Sequence, residues 1–258
     1  VDAYNGWLET IGPDPAVVDF KLAGIWELCG TKRSAVQQAW IQYGQNMRPR
    51  LTMETSSPFP NQPPLITLGR AIKPSEPPQH MFGYQVIILD RRNLLSDTGV
   101  KFNRYYSIKR EKYSEYFQSM YNNMAEDILS SGYDNENYFL IVASMGLDFN
   151  CAPTDKFYTL LRAAGAGKRL QYWINNSNPG SGLYTNANYL FIGTFNQGAD
   201  VGVELLELSW SNRIVTELDI FFYRQSYEGI YTFGLGGSSS RLLDEEGNVV
   251  NADELEVN

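Results

Sequence analysis

Between residues 172 and 188 the sequence brings aromatic rings and side-chain amides close together. Sugars pack their apolar faces on aromatic rings while amides read their hydroxyls, and the same residue types are enriched at protein interfaces. The set comprises Tyr172, Trp173, Asn175, Asn176, Tyr184 and Asn188. The candidate ligand-binding residues within it are Tyr172, Trp173, Asn175, Tyr184 and Asn188. The alternative interpretation is a core tryptophan beside a disordered loop. Asn175-Asn176-Ser177 also fits the N-glycosylation pattern, which matters only for a chain secreted by a eukaryote.

Side chains for catalysis and zinc binding are scarce. His80 is the only histidine, and Cys29 and Cys151 are the only cysteines. This composition removes the usual zinc sites, and also the Ser-His-Asp and Cys-His mechanisms that need a well-placed histidine. The two cysteines could pair or remain free thiols, so the redox compartment stays open.

Three weaker chemical signals each have a structural explanation. Gly234–Ser240 is rich in glycine and serine, but neither a strand-to-helix context nor a following lysine supports a phosphate loop. A calcium loop is not supported by the spacing of Asp134, Glu136 and Asp148. Glu204 and Glu207 imply no acid–base catalysis whether they lie on a helix or a strand. We therefore predict no enzymatic activity, no metal and no cofactor.

Overall composition bounds the fold and the class of partner. The chain has 258 residues, of which 43% are hydrophobic and 14% aromatic, enough for one large core or one core with appendages. Its net charge of −8 disfavours nucleic-acid binding, which needs basic surfaces. No apolar run approaches the ~20 residues of a membrane-spanning helix.

The stretch from Tyr138 to Leu170 predicts a strand–loop–helix module around which the rest of the chain is organised. Residues 138–143 form a short apolar run typical of a buried strand, and 144–148 read as the loop that leaves it. Pro153-Thr154-Asp155 offers the chemistry of a helix start. The buried face of that helix is predicted to carry Phe157, Leu160 and Leu161. Glycines at 165 and 167 are expected to end it.

The flanking segments predict the remaining elements. Residues 82–90 and 100–106 read as an antiparallel hairpin, followed by an amphipathic helix over 112–129. Residues 170–174 are predicted to be extended, and 175–188 to form a polar loop. Further strands are predicted at 189–195, 204–208, 214–223 and 231–234.

The first 47 residues carry a pattern seen at the end of one domain family. Trp7, Pro15, Val17-Val18, Phe20, Leu22 and Ile25-Trp26-Glu27-Leu28 precede a predicted helix that ends at Tyr43. This order resembles the C-terminal edge of a membrane-attack-complex/perforin (MACPF) domain. The resemblance implies that the pore-forming sheet and helical clusters lie upstream of Val1. The chain would then be the C-terminal part of a pore-forming protein, as a cleaved chain or a fragment, and the alternative is a small strand–helix cap.

Two segments of unusual composition flank the predicted main domain. Eight prolines crowd into the segment 48–79, which we interpret as a linker that could still contribute one strand at 65–68. Residues 236–258 are rich in glycine and serine and then acidic, which predicts a mobile tail. The predicted domains are therefore 1–47, 48–79, 80–235 and 236–258.

Residues 82–208 carry a second family pattern: a strand with an acidic turn, a V-x-V-A-S-like strand, an alanine/leucine helix closed by glycine, and a Y/W-x-F-I-G strand. These features lie at Val86–Asp90, Leu140–Ser144, Leu160–Gly167 and Tyr189–Gly193. Their order resembles the interleukin-like EMT inducer (ILEI) domain, which also occurs in the stem of an O-mannose glycan N-acetylglucosaminyltransferase. The acidic cluster of that family is reduced to Asp148, and two cysteines cannot reproduce its disulfides. The resemblance implies an α/β fold with a central mixed sheet and flanking helices, preceded by the small α+β segment.

Together these features predict a secreted pore-forming protein of the toxin or immune-effector kind. Its partners would be the N-terminal MACPF portion, a receptor or glycan on the target membrane, and further copies of itself on assembly. The alternative function is a secreted signalling or carbohydrate-binding module that forms no pore.

Overall fold

The structure, a computed structural model, describes residues 48–57, 62–96, 98–110, 113–177, 185–209, 213–224, 229–244 and 246–250. The predicted MACPF-like segment, 1–47, lies outside them. The described chain forms the strands β1 (Arg50–Ser57), β2 (Leu65–Leu68), β3 (Arg70–Ala71), β4 (Gly83–Asp90), β5 (Val100–Ser107), β6 (Tyr138–Met145), β7 (Leu147–Asp148), β8 (Asn186–Thr194), β9 (Val203–Ser209), β10 (Arg213–Arg224) and β11 (Tyr231–Leu243). Its helices are α1 (Tyr113–Ser130), α2 (Asp155–Ala163) and α3 (Lys168–Asn176).

The strands form two antiparallel sheets. Sheet A has the order β11-β10-β1-β2-β3, and sheet B has the order β5-β4-β6-β8-β7 with β9 paired to β8. The chain is therefore a mixed α/β protein dominated by sheet. The prediction of a mixed central sheet is wrong, because the strand pairs within both sheets are antiparallel.

Sheet B is the middle layer, with the helices on one face and sheet A on the other. On β4, Tyr84, Val86 and Ile88 pack toward the helices, whereas Ile87 and Leu89 pack toward sheet A. Successive side chains of a strand point to opposite faces, so a strand covered on both faces must be apolar throughout. This explains why β4, β6 and β8 read as continuous apolar runs, and the predicted hairpin of β4 with β5 is confirmed.

The helical layer agrees with the sequence for two helices and differs for the third. Helix α1 begins and ends within one residue of the predicted bounds. Helix α2 buries Phe157, Leu160 and Leu161, as predicted. Residues 168–176, predicted to be extended over 170–174, form helix α3 instead, because Leu170 and Trp173 lie three residues apart and bury one helical face against sheet B.

Gly165 separates α2 from α3. Its backbone has a φ of +102°, a conformation that side chains with a Cβ rarely adopt, so the predicted end of α2 is confirmed. The chain does not then become extended: after Gly167 it turns directly into α3.

The proline-rich segment is not a free linker where it is described. Strand β1 pairs with β10 from Arg50 to Ser57, and its Leu51 and Met53 are buried between the two sheets. The described prolines lie outside the strands, while alternation of apolar and polar residues within 50–57 supplies the buried face. The two-sheet fold therefore begins well before the predicted boundary at residue 80.

Other predicted loops and the predicted tail also become strands. Strand β11 extends through the Gly-Ser stretch to Leu243 and pairs with β10, so residues 236–243 belong to sheet A. Strand β6 continues to Met145 and β7 follows, where a loop over 144–148 was predicted. Strand β8 starts at Asn186, inside the predicted polar loop.

Candidate functional site

A polar groove of about 620 Å³ follows strand β5 at the edge of sheet B, and we call it the β5 groove. Its floor is Asn103–Ile108, one wall is the connection Pro74–Gln79, and the other wall is the face of α1 that carries Tyr116, Ser119, Met120 and Asn123. This volume is within the range of roughly 300–1,000 Å³ typical of ligand sites in proteins.

The wall formed by α1 follows from helical spacing. Tyr116, Ser119, Met120 and Asn123 are separated by three or four residues, so they share one face of the helix. Met120 is buried and anchors this face, whereas Tyr116 is 40% exposed. The wall therefore offers an aromatic ring, a hydroxyl and an amide along two turns.

The floor of the groove is oriented by hydrogen bonds from neighbouring elements. Gln85 Nε2 donates to Asn103 Oδ1 at 3.0 Å and to the backbone oxygen of Ile72 at 3.2 Å. The backbone N–H of His80 donates to Ser107 Oγ at 3.2 Å. The residues that flank the Pro74–Gln79 wall are thus held near β5, Ile72 through Gln85 and His80 directly, and the Asn103 amide is fixed.

The positive charge of Arg104 in the groove is compensated by a neighbouring carboxylate. Arg104 forms an ion pair with Asp127 at 2.9 Å, and Tyr106 donates its hydroxyl proton to the same carboxylate at 2.7 Å. Burial, and then the bond to Asp127, raises the pKa of Tyr106 well above its usual value, so this phenol stays protonated. The groove therefore offers uncharged hydrogen-bonding groups and aromatic rings, and Glu76 adds one acid at its rim.

The structure does not bring the residues predicted from sequence into one site. Trp173 is fully buried and donates its indole N–H to the backbone oxygen of Phe149. Tyr172, the preceding residue of α3, is 52% exposed, and Asn175 is also exposed and accepts a bond from Gln171. Tyr184 lies outside the described residues.

Asn188 is a structural residue between the two sheets. It is fully buried on β8, and its Nδ2 donates to the backbone oxygen of Ile214 and to Thr216 Oγ1, both at 3.0 Å. Both partners belong to β10 of sheet A. The Asn188 amide therefore joins the sheets and is closed to an external ligand.

Glu204 also serves the fold. Its carboxylate accepts bonds from the backbone N–H groups of Gly167 at 3.0 Å, Arg169 at 2.7 Å and Leu170 at 3.2 Å, and from the hydroxyl of Tyr189 at 3.1 Å. The first turn of a helix has unpaired N–H groups that favour negative charge. Glu204 thus caps α3 from a strand distant in sequence.

Cys151 is a buried free thiol. Burial, and then the negative charge of Asp148, raises its pKa to about 12, so it is held as an unreactive thiol. Asp148 pairs with Arg110 at 2.7 Å. Within the described residues, no group of three or more His, Cys, Asp or Glu side chains is placed to hold a metal.

The outer face of sheet A carries a second depression of about 430 Å³. Glu54 of β1 lies opposite Glu217 of β10, and Arg241 of β11 contacts both carboxylates. Burial, and then the neighbouring Glu217, raises the pKa of Glu54. Because these charges are directed at one another, this face offers fewer groups to a ligand than the β5 groove.

Sequence reasoning missed the β5 groove because three separate segments build it. The available signal was the polar–aromatic run Asn103–Ser107 on a strand whose only predicted neighbour was the strand at 82–90.

The described residues contain no helix with the length and apolarity needed to cross a membrane. Comparison with known proteins gave no match to a family profile, to a curated protein or to a solved structure.

Proposed function

We propose that this chain is the C-terminal part of a MACPF-type pore-forming protein, a toxin or an immune effector, and that its α/β domain recognises a receptor or glycan on the target cell. The first half is supported by the resemblance of residues 1–47 to the end of a MACPF domain. The second half is supported by the resemblance of the sequence 82–208 to the ILEI domain and by the β5 groove.

The β5 groove is the observation that carries the recognition role. It combines tyrosine rings with amides and hydroxyls in a concave surface, where Arg104 is paired with Asp127 and Glu76 is the one acid of the lining. Such a surface binds by stacking and by directional hydrogen bonds, which select a partner by shape. This chemistry suits recognition.

The partners follow from the same proposal. The N-terminal MACPF portion would supply the membrane-inserting segments, the protein would be secreted, and copies would associate when the pore assembles. An acidic domain gains nothing from anionic lipids by charge alone, so binding to the target membrane would depend on a specific receptor or glycan.

A competition experiment tests the proposal. The purified 258-residue chain should bind target membranes and compete with the intact protein, yet release no dye from loaded vesicles, because in this proposal the N-terminal MACPF portion supplies the membrane-inserting segments. Tyr116→Ala combined with Asn123→Ala should weaken binding at least fivefold, since anchor residues contribute more than ~1 kcal/mol. Leu129→Ala is the matched control, because Leu129 is exposed on the same helix outside the groove. Dye release by the chain alone, or binding that is equal in all variants, would refute the proposal.

The alternative, a secreted signalling or carbohydrate-binding module, would use the same groove without a pore-forming partner. The sequence preceding Val1 in the precursor separates the two. A MACPF core with two amphipathic helical clusters supports the pore-forming protein, and a signal peptide directly before Val1 supports the module.

A further inference from the structure

Among the strands that the structure describes, β5 ends the strand order of sheet B and pairs with β4 alone. The backbone of Ile108, directly after β5, donates to Phe82 at 3.0 Å, which shows that its N–H points toward β4. In an antiparallel strand, residues alternate between pointing their N–H and C=O groups to one neighbour and to the other. The backbone N–H and C=O groups of Tyr106 and Arg104 therefore also point toward β4. Those of Asn103, Tyr105 and Ser107 point to the open edge.

Within the described residues these outward backbone groups have no backbone partner. The bonds that reach these β5 residues from outside their strand pairing go to side chains: His80, directly after Pro74–Gln79, donates its backbone N–H to Ser107 Oγ, and Gln85 of β4 donates to Asn103 Oδ1. Unpaired N–H and C=O groups in a row form a template for another strand. The template lies along the floor of the β5 groove.

The walls of the groove decide what can occupy the template. Pro74–Gln79 rises on one side of β5, and the Tyr116 face of α1 rises on the other. A single extended segment enters a channel of this kind, whereas the edge of a second sheet, with its own neighbouring layers, would collide with both walls. The geometry therefore disfavours a second copy that pairs β5 with β5.

We propose that the β5 groove binds an extended peptide segment of a partner protein as an additional strand at the edge of sheet B. This inference rests on the proposed recognition function and narrows its receptor-or-glycan partner to a polypeptide. The floor spans six residues, so the bound segment covers about 20 Å at ~3.3 Å per residue. Main-chain hydrogen bonds supply affinity and alternate side chains supply specificity in this mode of binding.

The chemistry of the walls selects the peptide. Side chains on one face of the bound strand meet Pro77, Pro78 and Tyr105, which favour apolar or aromatic residues. Those on the other face meet the hydroxyl and amide groups of Ser119 and Asn123, which favour polar uncharged residues. Since Arg104 is paired with Asp127 and Glu76 is a single acid at the rim, an acidic peptide is disfavoured.

The test begins with a display library of random linear dodecapeptides panned on the full chain, with an array of neutral and acidic glycans probed in parallel. The strongest peptide is synthesised with single backbone N-methyl groups at successive positions. We expect about tenfold weaker binding where the N–H faces β5 and little change at alternate positions, because each methyl removes one hydrogen bond. Tyr116→Ala in the chain should weaken binding at least fivefold, and Leu129→Ala should not.

Residue-level amide exchange gives an independent readout. Before peptide is added, the N–H groups of Arg104 and Tyr106 should exchange slowly and those of Asn103, Tyr105 and Ser107 rapidly. The peptide should slow the second set at least tenfold. N-methyl effects without alternation, or no protection of these amides, would overturn the inference.

The failure of this inference is distinguishable from that of the proposed function. Binding of a glycan but no peptide, abolished by Tyr116→Ala, would overturn the peptide inference and leave recognition intact. If neither library yields a binder and the chain does not bind target membranes, both fail.

Discussion

The capping of α3 by Glu204 gives the most quantitative prediction. Replacing Glu204 by Gln keeps the size and one acceptor oxygen, but it removes the charge and the second acceptor. The carboxylate now serves three backbone N–H groups and the Tyr189 hydroxyl. A carboxylate at a helix N-terminus contributes about 0.3–2 kcal/mol through the dipole, and one buried hydroxyl left unpaired costs roughly 1–3 kcal/mol.

We expect Glu204→Gln to lower the free energy of unfolding by about 1.5–3 kcal/mol, allowing for partial replacement by the remaining oxygen. Urea unfolding followed by tryptophan fluorescence provides the assay, and Trp173, one of the five tryptophans, lies on the helix that loses its cap. Amide exchange of Gly167, Arg169 and Leu170 should accelerate as well.

Glu207→Gln is the matched control. Glu207 lies on the same strand three residues later, so its side chain points to the opposite face and cannot reach α3. Glu207 is half-buried, and we expect a smaller change than for Glu204→Gln, because its side chain lies away from α3. Equal effects of the two substitutions would refute the capping role. A double variant with Tyr189→Phe should show a coupling energy of about 0.5–3 kcal/mol, because Tyr189 shares the carboxylate.

Three further predictions concern other buried groups. Asn188→Ala should destabilise the protein by about 2–4 kcal/mol in urea unfolding, because it removes the hydrogen bonds to Ile214 and Thr216 between the sheets. The control Asn175→Ala, at an exposed residue, should change stability by less than ~0.5 kcal/mol. A similar small change for both would contradict the structural role of Asn188. Burial alone would raise the pKa of Asp90, but bonds from Asn93, the backbone of Arg92 and Lys101 outweigh burial and lower the pKa. The Asp90 carboxylate therefore stabilises the fold above its unfolded pKa of about 3.9, and that stability is lost as the pH falls through the folded pKa. The stability difference between the protein and Asp90→Asn should thus be present at pH 7 and shrink at about pH 3, and a pH-independent difference would be evidence against it. Cys151, measured in a Cys29→Ser background, should resist a thiol reagent at pH 8 in the folded protein and react at once in urea, since burial raises its pKa to about 12. Prompt labelling of the folded chain would show instead that the thiol is accessible.

The sequence by itself determined the elements whose signal is local. Strands β4, β6 and β8 were readable because both faces are buried, which demands uninterrupted apolar runs. Helices α1 and α2 were readable because helical periodicity placed their apolar residues on one face. The end of α2 was readable because Gly165 needs a positive φ.

Elements that depend on distant partners were misread. Helix α3 has no capping side chain of its own, since its cap is Glu204, 37 residues after Gly167 and in another element. Strand β1 lies beside prolines that suggest a linker, and its partner β10 follows more than 150 positions later in the sequence. Local composition does not predict a pairing of this kind, because the strand is stabilised by its contacts with β10, which is distant in sequence.

The tertiary structure alone decided which polar and aromatic groups are available to a ligand. Trp173 and Tyr172 are adjacent in sequence, yet the helix turns one into the core and the other to solvent. Asn188 looked like a loop amide, but strand register directs it between the sheets. The β5 groove exists because the strand order leaves β5 at an edge between Pro74–Gln79 and α1, and sheet order is fixed by long-range packing that no single segment encodes.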